Sequence, residues 1–139
     1  MPATVVVLTK LPEFLPVKTR LVPLLGEAAA RAFYEECLRE TIALARSFSG
    51  SVRIAYSPAH AEPPGPDYVP VAGDDGATCL ERALHDAYEG QPLVALGGDA
   101  PDLPRARLEE AVAELARCDA VLVPTGDGGF SCLALNEPL

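Results

Sequence analysis

Three short segments carry residue types suited to a phosphorylated ligand. In Leu93-Val94-Ala95-Leu96-Gly97-Gly98-Asp99-Ala100-Pro101-Asp102-Leu103-Pro104 an apolar run stops at two glycines and an aspartate follows at once. In an open α/β sheet, ligands sit beyond the carboxyl ends of the strands. A carboxylate there, on backbone cleared of side chains, is well placed to hold a magnesium or manganese ion and, through it, a phosphate. The second segment, Thr125-Gly126-Asp127-Gly128-Gly129-Phe130, follows the apolar run Ala120-Val121-Leu122-Val123. Its glycines permit close approach of a ligand and equally permit a hairpin turn, and spacing alone favours the turn. The third, Val17-Lys18-Thr19-Arg20-Leu21, is basic. Arginine grips phosphoryl oxygens with two parallel bonds, whereas lysine acts as a mobile point charge.

Other chemistry finds less support. The Walker pattern and the Gly-x-Gly-x-x-Gly dinucleotide fingerprint are both absent. Cys37, Cys79, Cys118 and Cys132 are scattered without a Cys-x-x-Cys pair, which argues against zinc and thioredoxin-like chemistry. Cys37 and Cys132 lie in apolar patterns and read as small core residues. His60 and His85 share no spacing with a third ligand, and His85 beside Asp86 reads as a surface residue. Asp102 reads as a helix cap. Asp74-Asp75, between Gly73 and Gly76, reads as a solvated turn.

The elements that must position these residues alternate. Thr4–Thr9 reads as a strand. Glu27–Phe48 reads as a helix, with Ala29, Phe33, Cys37, Thr41, Leu44 and Phe48 at helical spacing and Ala30, Tyr34, Leu38 and Ile42 widening the face. Ser51–Tyr56 is a second strand, Ala61–Pro66 a loop and Asp67–Val71 a short strand. Thr78-Cys79-Leu80-Glu81 has the capping-box pattern and predicts a helix from there to about Tyr88. Leu93–Leu96 is a strand, and Pro104 opens a helix with Leu108, Val112 and Leu115 on its buried face. Ala120–Val123 and Phe130–Leu135 complete the strands. The order predicts an α/β fold of one domain: a three-layer α/β/α arrangement with a mainly parallel sheet and helices on both faces.

Composition sets the outer limits. The chain has 139 residues, 49% of them hydrophobic, enough for a core and too apolar for disorder. A formal net charge of -9 disfavours nucleic acid as a partner but leaves room for a small anion held by local cations. No apolar run reaches the roughly 20 residues of a membrane span, and the start lacks a secretory pattern, so the expected location is the cytoplasm.

Taken together, the chain resembles the bacterial DUF2064 family, also described as transferase 1 associated with radical-SAM and selenium domains. That family is related to the GT-A glycosyltransferases and to the nucleotidyltransferases that include molybdenum-cofactor and 2-phospholactate guanylyltransferases. The resemblance rests on Val17-Lys18-Thr19-Arg20-Leu21, Glu81-Arg82, Gly97 to Pro104 and Asp127-Gly128-Gly129-Phe130, in that order and spacing. It implies a Rossmann-like nucleotide-diphospho-sugar transferase domain over 1–139, with a nucleotide pocket above the strand ends. Phosphate contacts would come from Lys10, Lys18, Arg20, Gly97 and Gly98. Asp99 would hold a magnesium or manganese ion and serve catalysis, and Asp127 would line the acceptor side as a second catalytic residue.

Two positions depart from the family pattern: Leu15 and Leu80 stand where glycines are common. The chain also stops at Leu139, before segments with which relatives continue, so the fold is expected to be shortened at its C-terminus. A shortened sheet would leave an edge strand able to pair with a second copy. The resemblance implies a metal-dependent glycosyltransferase or nucleotidyltransferase acting on a nucleotide sugar or a nucleoside triphosphate. A non-catalytic nucleotide-binding or subunit-interaction module and a domain with no ligand site remain as alternatives.

Overall fold

Apolar residues fall on both sides of the central strands, and each side receives its own helices. The computed structural model describes residues 3–15, 17, 21–98, 103–125 and 130–138. The elements are β1 (Thr4–Lys10), α1 (Val22–Leu25), α2 (Glu27–Phe48), β2 (Val52–Ser57), β3 (Tyr68–Pro70), α3 (Gly76–Ala87), β4 (Leu93–Gly97), α4 (Arg105–Glu114), β5 (Ala120–Pro124) and β6 (Phe130–Leu135). They form one six-stranded sheet in the order β3-β2-β1-β4-β6-β5. The pairs β2–β3, β1–β2 and β1–β4 are parallel, while β6 runs antiparallel to both β4 and β5. The expected mainly parallel sheet is present, with one reversed strand inserted between β4 and the edge strand β5.

Side-chain alternation sorts the strands into two cores. Val5 and Val7 of β1, Ile54 of β2 and Val94 and Leu96 of β4 pack with Tyr34 and Leu38 of α2 and Leu108 and Ala111 of α4. On the opposite face, Val6, Ala55, Leu93, Ala95 and Leu135 meet Cys79, Ala83, Leu84 and Ala87 of α3. Strands β1 and β4 are buried on both faces, which explains why they read as continuous apolar runs rather than as alternating ones. Leu108 is fully buried, as its spacing with Leu115 anticipates. Such a side chain contributes about 1.5–3 kcal/mol relative to an exposed one. Cys37 and Cys132 are core residues, and burial pushes the Cys132 thiol up to about 11. No helix among the described residues is long and apolar enough to cross a membrane.

Two local expectations need correction. Helix α3 starts at Gly76, not at Thr78, because the Asp75 side chain accepts the Thr78 N–H and caps it. The buried stripe of α2 is Ala30, Tyr34, Cys37, Leu38, Thr41 and Ala45. Phe33, expected on that stripe, is 49% exposed, and Ala29 is exposed too. The helix lies on the sheet through the neighbouring row of residues, so the buried arc is rotated away from 29 and 33.

The candidate nucleotide cleft

Strands β1 and β4 run side by side as far as Leu8 and Gly97 and then part. Gly98 keeps one last bond to the sheet, its N–H donating to Leu8 O at 2.9 Å. Strands β2 and β3 continue the sheet on one side of β1, and β4 starts the other side. A crevice at the carboxyl ends of such diverging strands is where open α/β folds bind ligands. Here it is a cleft of about 670 Å³. Its walls are Leu8 to Lys10 from β1, Ser57 and Pro58 after β2, Gly73 to Gly76 and Cys79 at the start of α3, Gly97 and Gly98 after β4, and Leu15, Val17 and Tyr34.

Two glycines of its lining are closely packed against their neighbours. An added Cβ on Gly98 would lie 2.9 Å from the Tyr34 hydroxyl, 3.1 Å from Thr9 Oγ1 and 3.2 Å from Leu8 O. An added Cβ on Gly73 would lie 2.9 Å from Cys79 Sγ. Neither position accepts a side chain without displacing what holds the cleft together.

Charge is unevenly spread. Lys10 is exposed and is the single cation lining the cleft among the described residues. Asp74 and Asp75 line it too. Backbone and side-chain hydrogen bonds from Thr78 hold the Asp75 carboxyl below its ordinary value, which favours the charged form that caps α3. Asp75 is exposed, as expected of a solvated turn, and in addition caps α3. The loop before it is tied by Arg82, whose Nη1 donates to Ala72 O at 2.6 Å.

A lowered folded-state value means that the Asp75 contribution to stability is complete above its ordinary value of 3.8 and disappears as pH falls through the lower one. Asp75→Ala is therefore expected to melt below the wild type at pH 7, with the difference closing toward pH 3. A difference that stays constant across that range would show that the charge of the cap contributes nothing.

The structure brings Lys10, Gly97 and Gly98 together in the cleft. Lys18, Arg20, Asp99, Asp102 and Asp127 lie outside the described residues. Strands β5 and β6 are antiparallel neighbours, with Pro124 paired to Phe130. His85 is exposed as expected, and His60 is also exposed, its ring edge-on to Phe14 at 5.9 Å. Among the described residues no three His, Cys, Asp or Glu side chains cluster as a metal site. The carboxylates that border the cleft, Asp74 and Asp75, and the sequence neighbour of Gly98, Asp99, are hard oxygen donors of the kind magnesium and manganese prefer.

A second cavity, of about 710 Å³, lies between residues 12–17 and the start of α2. It is larger, but Arg31, the one cation among the described residues lining it, already pairs with Glu35 at 2.7 Å, and no residue of β4 lines it. The cleft at the strand ends is the better candidate on chemistry.

Sequence reasoning missed Tyr34 and Thr9 as part of the site. The signal was a hydroxyl on the buried face of α2 and another near the end of β1, each needing a partner if buried. Arg82 was seen only as part of a family pattern.

Residues 28–139 match the model of a family described as uncharacterized protein conserved in bacteria, DUF2064. The chain belongs to the DUF2064 family. The architecture is shared with solved structures. A candidate nucleotide-diphospho-sugar transferase from Desulfovibrio desulfuricans G20 is similar with a TM-score of 0.82 and 25% identity, over 97% of this chain and 64% of that one. The 2-C-methyl-D-erythritol 4-phosphate cytidylyltransferase of Thermus thermophilus is similar with a TM-score of 0.57 and 17% identity, over 99% of this chain and 65% of that one. The bifunctional IspDF of Campylobacter jejuni has a TM-score of 0.58 and 8% identity, over 98% of this chain and 41% of that one. This DUF2064 chain therefore has the nucleotide-diphospho-sugar transferase-like fold and spans less than two thirds of the solved chains it matches. It matches no curated protein.

Proposed function

We propose that this DUF2064 chain carries the donor site of a metal-dependent transferase that uses a nucleoside triphosphate or a nucleotide sugar. The cleft where β1 and β4 part carries the reading: Gly97 and Gly98 line it at the end of β4, together with one cation, Lys10, and two carboxylates, Asp74 and Asp75. Support comes from the fold shared with a candidate nucleotide-diphospho-sugar transferase and a cytidylyltransferase.

In this reading Lys10, Lys18 and Arg20 neutralise phosphate oxygens, and the backbone at Gly97 and Gly98 admits the phosphates closely. Asp99, helped by Asp74, holds a magnesium or manganese ion. A bound cation of that kind draws charge from the phosphate oxygens as the leaving group departs. Asp127 lies on the acceptor side and is the candidate to take the acceptor's proton. Release of pyrophosphate marks a nucleotidyl transfer, and release of a nucleoside diphosphate marks a glycosyl transfer.

The test is a thermal-shift screen of nucleoside di- and triphosphates and nucleotide sugars, each with and without manganese. A ligand that binds only the native state raises stability by about 2.7 kcal/mol at 100 times its dissociation constant. At least one nucleotide is expected to raise the melting temperature by several degrees, and more so with manganese. No shift across the panel would remove the donor-site reading. One observation favours binding without turnover as the second reading: Leu15, where the family pattern has a glycine, lines the cleft. Binding with no product from any donor would decide for that reading.

A further inference from the structure

At the point where β1 and β4 separate, the main chain of Lys10 loses its neighbour on the β4 side. A side chain from α2 takes over. Lys10 N–H donates to the Tyr34 hydroxyl at 3.3 Å, and that hydroxyl is 2.6 Å from Thr9 Oγ1. Thr9 Oγ1 in turn donates to Lys10 O at 3.2 Å. Either hydroxyl can donate in the Thr9–Tyr34 bond, and the three contacts close a ring that begins and ends on the Lys10 residue. Tyr34 and Thr9 are both largely buried, and the bond between them is buried, so breaking it removes a hydrogen bond from two shielded hydroxyls.

The same hydroxyl sets the position of the other strand end. It lies 2.9 Å from where a Gly98 Cβ would be, so Gly98 packs directly on it. One phenolic oxygen thus fixes both lips of the crevice, from a residue 24 positions away from Lys10 in the chain. Lys10 has no ion-pair partner among the described residues that would otherwise hold its ammonium in place.

We propose that Tyr34 is a positioning residue of the cleft, whose hydroxyl orients the Lys10 main chain and thereby sets where the Lys10 ammonium meets a bound phosphate. This rests on the donor-site reading above for its ligand, but not for its geometry. Tyr34 touches no reacting atom in this role.

The test compares Tyr34→Phe with Tyr56→Phe. Tyr56 is as buried and its hydroxyl donates to Ala61 O at 2.8 Å, in a separate cluster outside the cleft. Tyr34→Phe loses the hydroxyl's bonds to Lys10 N–H and Thr9, Tyr56→Phe loses its bond to Ala61 O, and both are expected to melt a few degrees low. Amide exchange of Lys10, followed by NMR, is expected to quicken at least tenfold in Tyr34→Phe and to stay within twofold in Tyr56→Phe.

The nucleoside diphosphate that stabilises the wild type most is expected to bind Tyr34→Phe roughly 5–20-fold more weakly, a loss of the size of one such bond. Its monophosphate is expected to lose less, because the ring positions a cation and not a base. Thr9→Val is expected to match Tyr34→Phe, and the double variant to be no worse than either, as members of one ring act as a unit. Unchanged exchange at Lys10 overturns the ring. Faster exchange with diphosphate affinity within twofold of wild type overturns the positioning role. A wild type that binds no nucleotide overturns the phosphate role together with the donor-site reading, while the exchange result still judges the ring.

Discussion

Gly98→Ala is expected to lower the melting temperature substantially and to remove nucleotide binding with it. The added methyl would stand 2.9 Å from the Tyr34 hydroxyl, and real Cβ contacts are essentially never that short. The neighbours cannot step aside cheaply. Tyr34 is hydrogen-bonded and buried, Thr9 is held in the same set of bonds, and Leu8 O is backbone. Overpacking of this kind costs about 1–3 kcal/mol. A chain of this size loses roughly 3–4 °C per kcal/mol, so a drop of about 3–12 °C is expected.

Gly50→Ala is the control. Nothing lies within 4 Å of its added Cβ, and its backbone is not in the left-handed region. There the loss of unfolded-state freedom should leave stability unchanged or raise it by about 0.4–1 kcal/mol. Differential scanning calorimetry of the two variants and the wild type checks both values. A Gly98→Ala melt within 1 °C of wild type would show that the cleft floor yields, and with it that the contact among Gly98, Tyr34 and Thr9 is soft.

What the sequence made legible was local. Helix α2 has the bounds its periodicity predicts, Glu27–Phe48, and β6 is the predicted Phe130–Leu135. In both, the pattern that decides the element lies within the element. The direction of β6 was not legible, because it depends on pairing with β4 about 40 residues earlier, where Leu93 meets Leu135. The start of α3 was ambiguous because two cap patterns overlap. Thr78 with Glu81 matches the capping box, yet Asp75 stands three residues before Thr78 and takes its N–H first.

Tyr34 shows the larger limit. Its spacing placed it on the widened apolar face of α2, and it is buried there. That its hydroxyl would meet Thr9, 25 positions back, and the approach of Gly98, much further on, is a product of the whole α/β arrangement. Phe33 errs in the other direction for the same reason: a helical repeat defines an arc, and only the docking of α2 on the sheet chooses which edge of that arc is covered.

Asp99→Ala is expected to abolish the manganese-dependent part of nucleotide stabilisation while leaving the fold intact. Asp99 is joined by one peptide bond to Gly98, whose position is fixed by its bond to Leu8 O and by its packing on Tyr34. In the donor-site reading a carboxylate next to Gly98 is a first ligand for magnesium or manganese, which take one or two carboxylates and complete their shell with phosphate oxygens and water. Removing it takes away the charged oxygen donor. With the nucleotide at about 100 times its dissociation constant, the wild type gains about 2.7 kcal/mol. That corresponds to roughly 8–11 °C at 3–4 °C per kcal/mol. The part of this gain that needs manganese should vanish in Asp99→Ala and in Asp99→Asn, since the amide keeps the shape but not the charge. The nucleotide shift measured with a chelator present should be the same in wild type and variants. Ligand-free melts within about 1 °C of one another separate loss of the ion from loss of the fold. If manganese still raises the melting temperature of Asp99→Ala as it does that of the wild type, the ion is not held at the end of β4. The cation would then have to be sought at Asp74 on the α3 side of the cleft.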